Sequence, residues 1–243
     1  MIDIDQNETL VLAVVMPVYN QEDTIGNVIE EWVDALSGLG APLLLHVYND
    51  GSTDGTGAIL DRLAGTHDAL RIHHKANAGH GPTILQGYRE NAHAMWIFQV
   101  DSDDEVSAAH LETFWRHRHT YDFVIANRRG RQASASRKLL SGVARFLVHF
   151  LYGVGVHDVN APYRLLRLAA FKPCFSAIPK RFFAPNLVIT GYAVLHDLKT
   201  LERDVPHRSR VTGDVTRSTW HIVKGSLLAL GQTIAFRLHS RIP

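Results

Sequence analysis

Asp101 and Asp103 place two carboxylates one residue apart, with Ser102 between them and Glu105 two positions further on. Side chains alternate along an extended chain, so Asp101 and Asp103 fall on the same side. Oxygen ligands of this kind suit a hard cation such as Mg²⁺ or Mn²⁺, and Glu105 is a candidate to extend the set. A cation held there would balance the charge of a diphosphate. An isolated Asp-x-Asp also fits a solvated acidic loop, so its meaning depends on what the chain folds beside it.

Two further clusters supply that setting. Pro17-Val18-Tyr19-Asn20-Gln21-Glu22-Asp23 offers an aromatic ring and polar atoms, and Asn49-Asp50-Gly51-Ser52-Thr53-Asp54-Gly55-Thr56 offers a carboxylate, a flexible turn and a helix start. Taken alone, the second is a turn with a helix cap. Together with the acidic cluster, they form a nucleotide cradle.

A contrasting stretch follows. From Phe123 to His157 there is no Asp or Glu, while Arg128, Arg129, Arg131, Arg137, Lys138 and Arg145 are positive. Such blocks face an anionic partner or solvent. A sugar hydroxyl must lose a proton before it attacks, which requires a placed general base, whereas a phosphate monoester is already anionic near neutral pH. It needs positioning and charge balance, and the guanidinium forks of Arg128 and Arg137 provide both. Asp104 and Asp158 stay open as bases, while the neighbourhood of Pro185-Asn186 carries no acid.

The elements that must position these residues follow from hydrophobic patterning. Leu10 to Met16 is a continuous apolar run, as in a parallel strand buried on both faces. Ile25, Val28, Ile29, Trp32, Val33 and Leu36 then recur at helical spacing until Gly38 and Gly40. The unit repeats, with strands at 43–48, 70–74, 95–100 and 121–126 and helices at 56–63, 81–93 and from about Ser136. Alternation of this kind implies an α/β fold, Rossmann-like, with a mostly parallel sheet flanked by helices. All three polar clusters follow strands, at the carboxyl edge where such sheets bind ligands.

The 243 residues suffice for one large domain, and 46% hydrophobic with 20% charged residues matches an ordinary globular protein. Cys174 is the single cysteine, which excludes an internal disulfide and fits a reducing compartment. Residues 1–9 lack the basic start and apolar run of a secretory signal, so a cytoplasmic location is expected. The apolar stretch Phe146 to Val156 is 11 residues long, short of the ~20 that cross a bilayer. Thr219 to Leu238, interrupted by His221, Lys224, Gln232 and Arg237, reads as an amphipathic helix.

The order Pro-Val-Tyr-Asn (17–20), Asp-Gly-Ser-Thr-Asp (50–54), Asn77-Ala78-Gly79-His80-Gly81 and Val100-Asp101-Ser102-Asp103 resembles the inverting GT-A glycosyltransferases of family 2. Gln21 stands where many relatives have Glu. The resemblance implies that Pro17, Tyr19, Glu22 and Asp50 contact the nucleoside, and that Asp101 and Asp103 reach the metal and the donor diphosphate. Arg128, Arg137-Lys138-Leu139-Leu140-Ser141 and Asp158-Val159-Asn160-Ala161-Pro162-Tyr163-Arg164 are similar to the polyprenol-phosphate sugar transferases. By that likeness Arg128, Arg137 and Ser141 hold the acceptor phosphate. The Gln-x-x-Arg-Trp motif of processive polysaccharide synthases is absent.

The expectation is therefore a GT-A domain over residues 1–215 with a membrane-interface helix over 216–243. It would transfer one sugar with inversion from a nucleotide-sugar, UDP-linked by preference with GDP-mannose as the other candidate, to a polyprenyl phosphate. Expected partners are these two substrates, the inner face of the cell membrane and a separate membrane protein, but no nucleic acid. The rival readings are transfer to a sugar hydroxyl and an inactive nucleotide-sugar-binding module.

Overall fold

The computed structural model describes residues 10–129, 135–206, 208 and 219–239, with the side chains of 129, 135–138 and 219–223 outside the description. The first half alternates strand and helix: β1 (Leu12–Val18), α1 (Ile25–Ser37), β2 (Leu43–Asp50), α2 (Thr56–Ala64), β3 (Leu70–Lys75), α3 (His80–Glu90) and β4 (Trp96–Gln99). α4 (Leu111–Arg116), β5 (Phe123–Arg129), α5 (Ala135–Tyr152), β6 (Arg164–Arg167), α6 (Leu168–Ala177), α7 (Pro185–Leu195), β7 (Thr200–Pro206) and α8 (Thr219–His239) follow.

One seven-stranded sheet results, in the order β3-β2-β1-β4-β6-β5-β7. β6 runs antiparallel to β4 and β5, and every other pairing is parallel. This is the mostly parallel, helix-flanked α/β sheet expected. Every residue of β1 is buried, because helices cover both faces of the sheet. Each large aliphatic side chain so enclosed contributes about 1.5–3 kcal/mol. Pro17 is tolerated in this central strand for a geometric reason. Val15 is the last β1 residue opposite β4, with Val100 N–H bonding its carbonyl at 3.1 Å. The N–H that Pro17 lacks falls on the side where β4 has already ended.

Close packing sets α3 against the sheet. A Cβ on Gly87 would come within 2.4 Å of Val15 Cγ1, so only glycine admits this approach. Trp32 of α1 meets Phe98 and Tyr163 at ring-centroid distances of 5.6 and 5.9 Å beneath the other face. α7 is apolar on all sides and is buried over nine consecutive residues from Pro185 to Ala193.

The C-terminal helices differ in what they cover. α8 packs on α5, where Ala229 joins Val148 and Tyr152 and Arg237 Nε donates to Leu151 O at 3.1 Å. Phe236 meets the ring of Phe182 edge-on. Leu227, Leu228, Ile234 and Leu238 point outward, as do Leu139, Val143, Phe146 and Phe150 of α5. Among the described residues, no helix is long and apolar enough to cross a membrane.

Candidate active site

β2 ends on Asp50, and Gly51 at φ 70° turns the chain so tightly that a Cβ there would lie 2.7 Å from Asn77 N. The Asp50 carboxylate is buried and pairs with Lys75 of β3. It also accepts the N–H groups of Ala78 and Gly79, each at 2.8 Å. Burial raises its proton affinity, but the Lys75 ammonium and the Ala78 N–H outweigh burial and hold the carboxyl below its ordinary value. Asp50 therefore stays ionised and fixes the segment leading into α3.

The two loops at the ends of β1 and β2 interlock. Asn20, at φ 49°, donates its N–H to Ser52 Oγ at 3.0 Å and accepts Thr53 N–H at 2.9 Å. Gln21 N–H meets Thr56 Oγ1 at 2.8 Å. Glu22 accepts Gly55 N–H at 2.6 Å, while its own N–H donates to Asp54 at 3.2 Å. The Glu22 carboxylate thus braces the loop after β2. Pro17 lies at the end of β1, and Tyr19 is 44% exposed beside this braced pair, in position to offer its ring to a planar ligand.

Past β4, Asp101 accepts a hydrogen bond from His80 Nε2, the distance from its Oδ1 being 2.8 Å. Burial raises the Asp101 proton affinity, yet the interaction with His80 and its hydrogen bond, then the Arg128 and Arg164 guanidiniums, bring its pKa below the ordinary value. Asp103 accepts Glu105 N–H at 3.3 Å, and the turn between them puts Asp104 at φ 54°. Arg208 anchors the loop from outside, its N–H reaching Glu105 O at 2.9 Å and its guanidinium Asp104 at 3.1 Å. Asp101 and Asp103 supply oxygen donors of the kind Mg²⁺ or Mn²⁺ takes, and among the described residues no donor sits on Asp101 Oδ2, so this pair fits such an ion. No three His, Cys, Asp or Glu side chains converge among the described residues. The remaining ligands would be phosphate oxygens and water.

Arg128, near the end of β5, joins this edge to the second half of the chain. Its Nε and Nη2 meet the two oxygens of Asp158 at 2.8 and 3.2 Å, and its Nη1 lies 3.3 Å from Glu105 Oε2. Burial works against the cation, but Asp158, Glu105 and Asp101 more than compensate, and its pKa is raised. Asp158 is set in turn by Glu202, whose carboxylate accepts the N–H groups of His157 and Asp158 at 2.9 and 2.8 Å. An open cavity of about 830 Å³ lies here, lined by Asn127, Arg128, His157, Glu202, Arg203 and Asp204. It opens from the Arg128 side of the edge rather than from the Tyr19–Asp50 cradle.

Glu105 thus faces Arg128, although the sequence reading offered it to a cation. Ser141 is exposed on α5, and the side chain of Arg137 lies outside the described residues. Three participants carry no assigned role in the sequence, although His80 and Arg164 stand within its motifs. Lys75 is hidden within a strand, His80 within a glycine-rich turn, and Arg164 within an apolar run. Arg164 is fully buried and donates to Ala161 O at 2.7 Å and to Asn186 O and Thr190 Oγ1 at 3.3 Å. Burial lowers its pKa to about 10, so it keeps its charge at neutral pH. The acid-free site near Pro185-Asn186 is the buried start of α7, turned onto Arg164.

The profile described as Glycosyl transferase family 2 matches residues 13–175, which span the Tyr19, Asp50, His80, Asp101, Arg128, Asp158 and Arg164 groups but not Asn186, Thr190, Glu202–Asp204 or the Arg208 anchor. The chain belongs to this family. It is 27% identical over 206 residues to undecaprenyl-phosphate 4-deoxy-4-formamido-L-arabinose transferase of Shewanella sediminis, covering 84% of this chain and 60% of that protein. Polyprenol monophosphomannose synthase of Mycolicibacterium smegmatis is 26% identical over 212 residues, covering 82% of this chain and 78% of that one. The family 2 chain therefore spans about three fifths of the length of the first of these relatives. Among solved structures, glucosyl-3-phosphoglycerate synthase from Mycobacterium tuberculosis with Mn²⁺, UDP and phosphoglyceric acid superposes with a TM-score of 0.70 at 18% identity, covering 96% of this chain and 79% of that one. At that identity the likeness establishes the GT-A fold and nothing finer.

Proposed function

We propose that this family 2 protein is an inverting glycosyltransferase that moves a single sugar from a nucleotide-sugar to a polyprenyl phosphate. The observation that carries the acceptor half is the Arg128–Asp158 fork at 2.8 and 3.2 Å. Arg128 is held rigidly between the Asp101–Glu105 loop and the adjoining cavity, where an incoming phosphate would meet it. The same fork disfavours transfer to a sugar hydroxyl, because a carboxylate paired bidentately with arginine is a weak proton acceptor. The two curated relatives are named for transfer to undecaprenyl phosphate and polyprenol phosphate, which agrees with this choice.

On the donor side, Tyr19, Pro17 and the Asp50 loop would receive the nucleoside, with Glu22 bracing the loop that shapes the pocket. UDP is the preferred nucleotide carrier, and the fold neighbour was crystallised with Mn²⁺ and UDP. Asp101 and Asp103 would hold Mg²⁺ or Mn²⁺, with Glu105 at the rim. When bound, the ion supplies Lewis-acid neutralisation of the leaving diphosphate. Arg128, with Arg137 and Ser141 from the start of α5, would orient the acceptor phosphate so that its oxygen faces the anomeric carbon opposite the leaving group. No general base is needed at that oxygen.

The outward-facing Leu139, Phe146 and Phe150 of α5 and Leu227, Leu228 and Leu238 of α8 suit shallow insertion into a bilayer, assisted by the basic stretch. This supports a peripheral position on the inner membrane face, with the interface helix in 216–243 and the transferase proper in 1–215. A membrane-protein partner could share that anchoring. The test is incubation of the full chain with a panel of nucleotide-sugars, Mn²⁺ and polyprenyl phosphate as the sole acceptor. A glycosylated lipid phosphate with one donor is the expected result, and its absence with every donor would refute the proposal.

A further inference from the structure

We infer that His80 is a positioning residue that aims Asp101 at the divalent cation; this rests on the metal-dependent reading above. The structure fixes His80 from two directions. Asp50 clamps the preceding N–H groups of Ala78 and Gly79 at 2.8 Å each, and Gly79 takes φ 92° to turn the chain into α3. The next residue, Gly81, sits so close to the α6–α7 connection that a Cβ would lie 2.2 Å from Phe183 O and 2.4 Å from Phe182 O. Between these two fixed points the His80 backbone is held in place, and the imidazole Nε2 meets Asp101 Oδ1 at 2.8 Å.

A hydrogen bond on one carboxylate oxygen sets the plane in which the other is presented. Outer partners of this kind orient metal ligands, and their loss costs roughly ten- to hundredfold in metal affinity. His80 also completes a continuous link from Asp50, at the nucleoside end, to Asp101, at the diphosphate end. Its side chain is 53% exposed, so replacing it leaves no cavity in the core.

The experiment compares the native full chain with His80→Ala and His80→Gln. Mn²⁺ is titrated in the presence of UDP or GDP, whichever stabilises the native protein more, and followed by thermal shift and by the electron paramagnetic resonance of free Mn²⁺. The expected result is an unchanged melting temperature without ligands, and a Mn²⁺ midpoint raised roughly ten- to hundredfold in His80→Ala. His80→Gln, whose amide nitrogen reaches the place of Nε2, should recover most of the loss. A His80→Ala midpoint equal to or below that of the native protein overturns the inference, as does a His80→Gln midpoint as weak as that of His80→Ala. If neither nucleotide with Mn²⁺ stabilises the native protein, the proposed function fails and takes this inference with it.

Discussion

Arg128 and Asp158 face each other through two parallel contacts, Nε to Oδ2 at 2.8 Å and Nη2 to Oδ1 at 3.2 Å. The pair is mostly shielded from water, with the arginine side chain 6% and the aspartate 21% exposed. Lysine carries the same charge but cannot close this fork. Arg128→Lys should therefore lower kcat/KM for a prenyl phosphate by roughly ten- to hundredfold, the equivalent of about 1.5–3 kcal/mol for one charged hydrogen bond. Donor-dependent protection in a thermal shift should be retained. Steady-state kinetics with varied acceptor decide the matter, and an unchanged kcat/KM would remove Arg128 from the acceptor site.

Asp50 and Lys75 form a second shielded pair, with side chains 6% and 13% exposed. Removing one member leaves the other charge buried without its partner, which costs about 3–5 kcal/mol. Asp50→Asn should be destabilised by an amount of that order in urea unfolding. The double variant Asp50→Asn with Lys75→Met should recover part of the loss, since no ammonium is then stranded. If the double variant is as unstable as the sum of the single ones, the pair carries no coupling.

His46 gives a pH signature. Its ring is buried on β2, with Nδ1 3.0 Å from His73 Nε2. Burial, then His73, His93 and Arg71, lower its pKa from 6.5 to about 3. Above pH 6.5 both folded and unfolded chains carry the neutral ring. Below it the unfolded chain takes up a proton that the folded chain refuses until about pH 3. Stability is therefore present above 6.5 and falls with acid by about 1.4 kcal/mol per pH unit from this residue alone. His46→Gln should flatten the plot of unfolding free energy against pH between 6 and 4 by about one proton. Equal slopes for the two proteins would contradict the assignment.

Phe146 and Phe150 are 71% and 77% exposed and stack on one another with centroids 6.3 Å apart. Changing both to Glu removes about 1.5–3 kcal/mol of burial per ring if they enter a bilayer. It also adds repulsion from anionic lipid. Co-sedimentation with vesicles containing anionic lipid should drop at least tenfold, with the melting temperature unchanged. Undiminished sedimentation would place the membrane contact elsewhere.

The edge around Asp50 and Asp101 was more legible in the sequence than the edge around Arg128, for physical reasons. Strands β1, β2 and β4 are short, mainly apolar runs that lead into polar clusters, and Asp50 and Asp101 stand at the ends of two of them. Their placement follows from the parallel pairing alone. β6 is not legible in the sequence, because Arg164 sits in an apolar run and the strand's antiparallel insertion between β4 and β5 depends on long-range pairing. α6 carries Pro173 in its interior, which argues locally against a helix. His80 is silent in sequence, since its role depends on a contact across 21 positions. Asp158 is open as a base in the sequence, and its pairing with Arg128 depends on a contact across 30 positions.

The most direct measurement offers the protein one nucleotide-sugar, Mn²⁺ and either a polyprenyl phosphate or the same polyprenol without its phosphate, and analyses the product by mass spectrometry and NMR. A sugar joined through the phosphate with inverted anomeric configuration, absent from the alcohol reaction and lost in Asp103→Ala, is the predicted result. Transfer to the alcohol at a comparable rate, or retention of configuration, would contradict it.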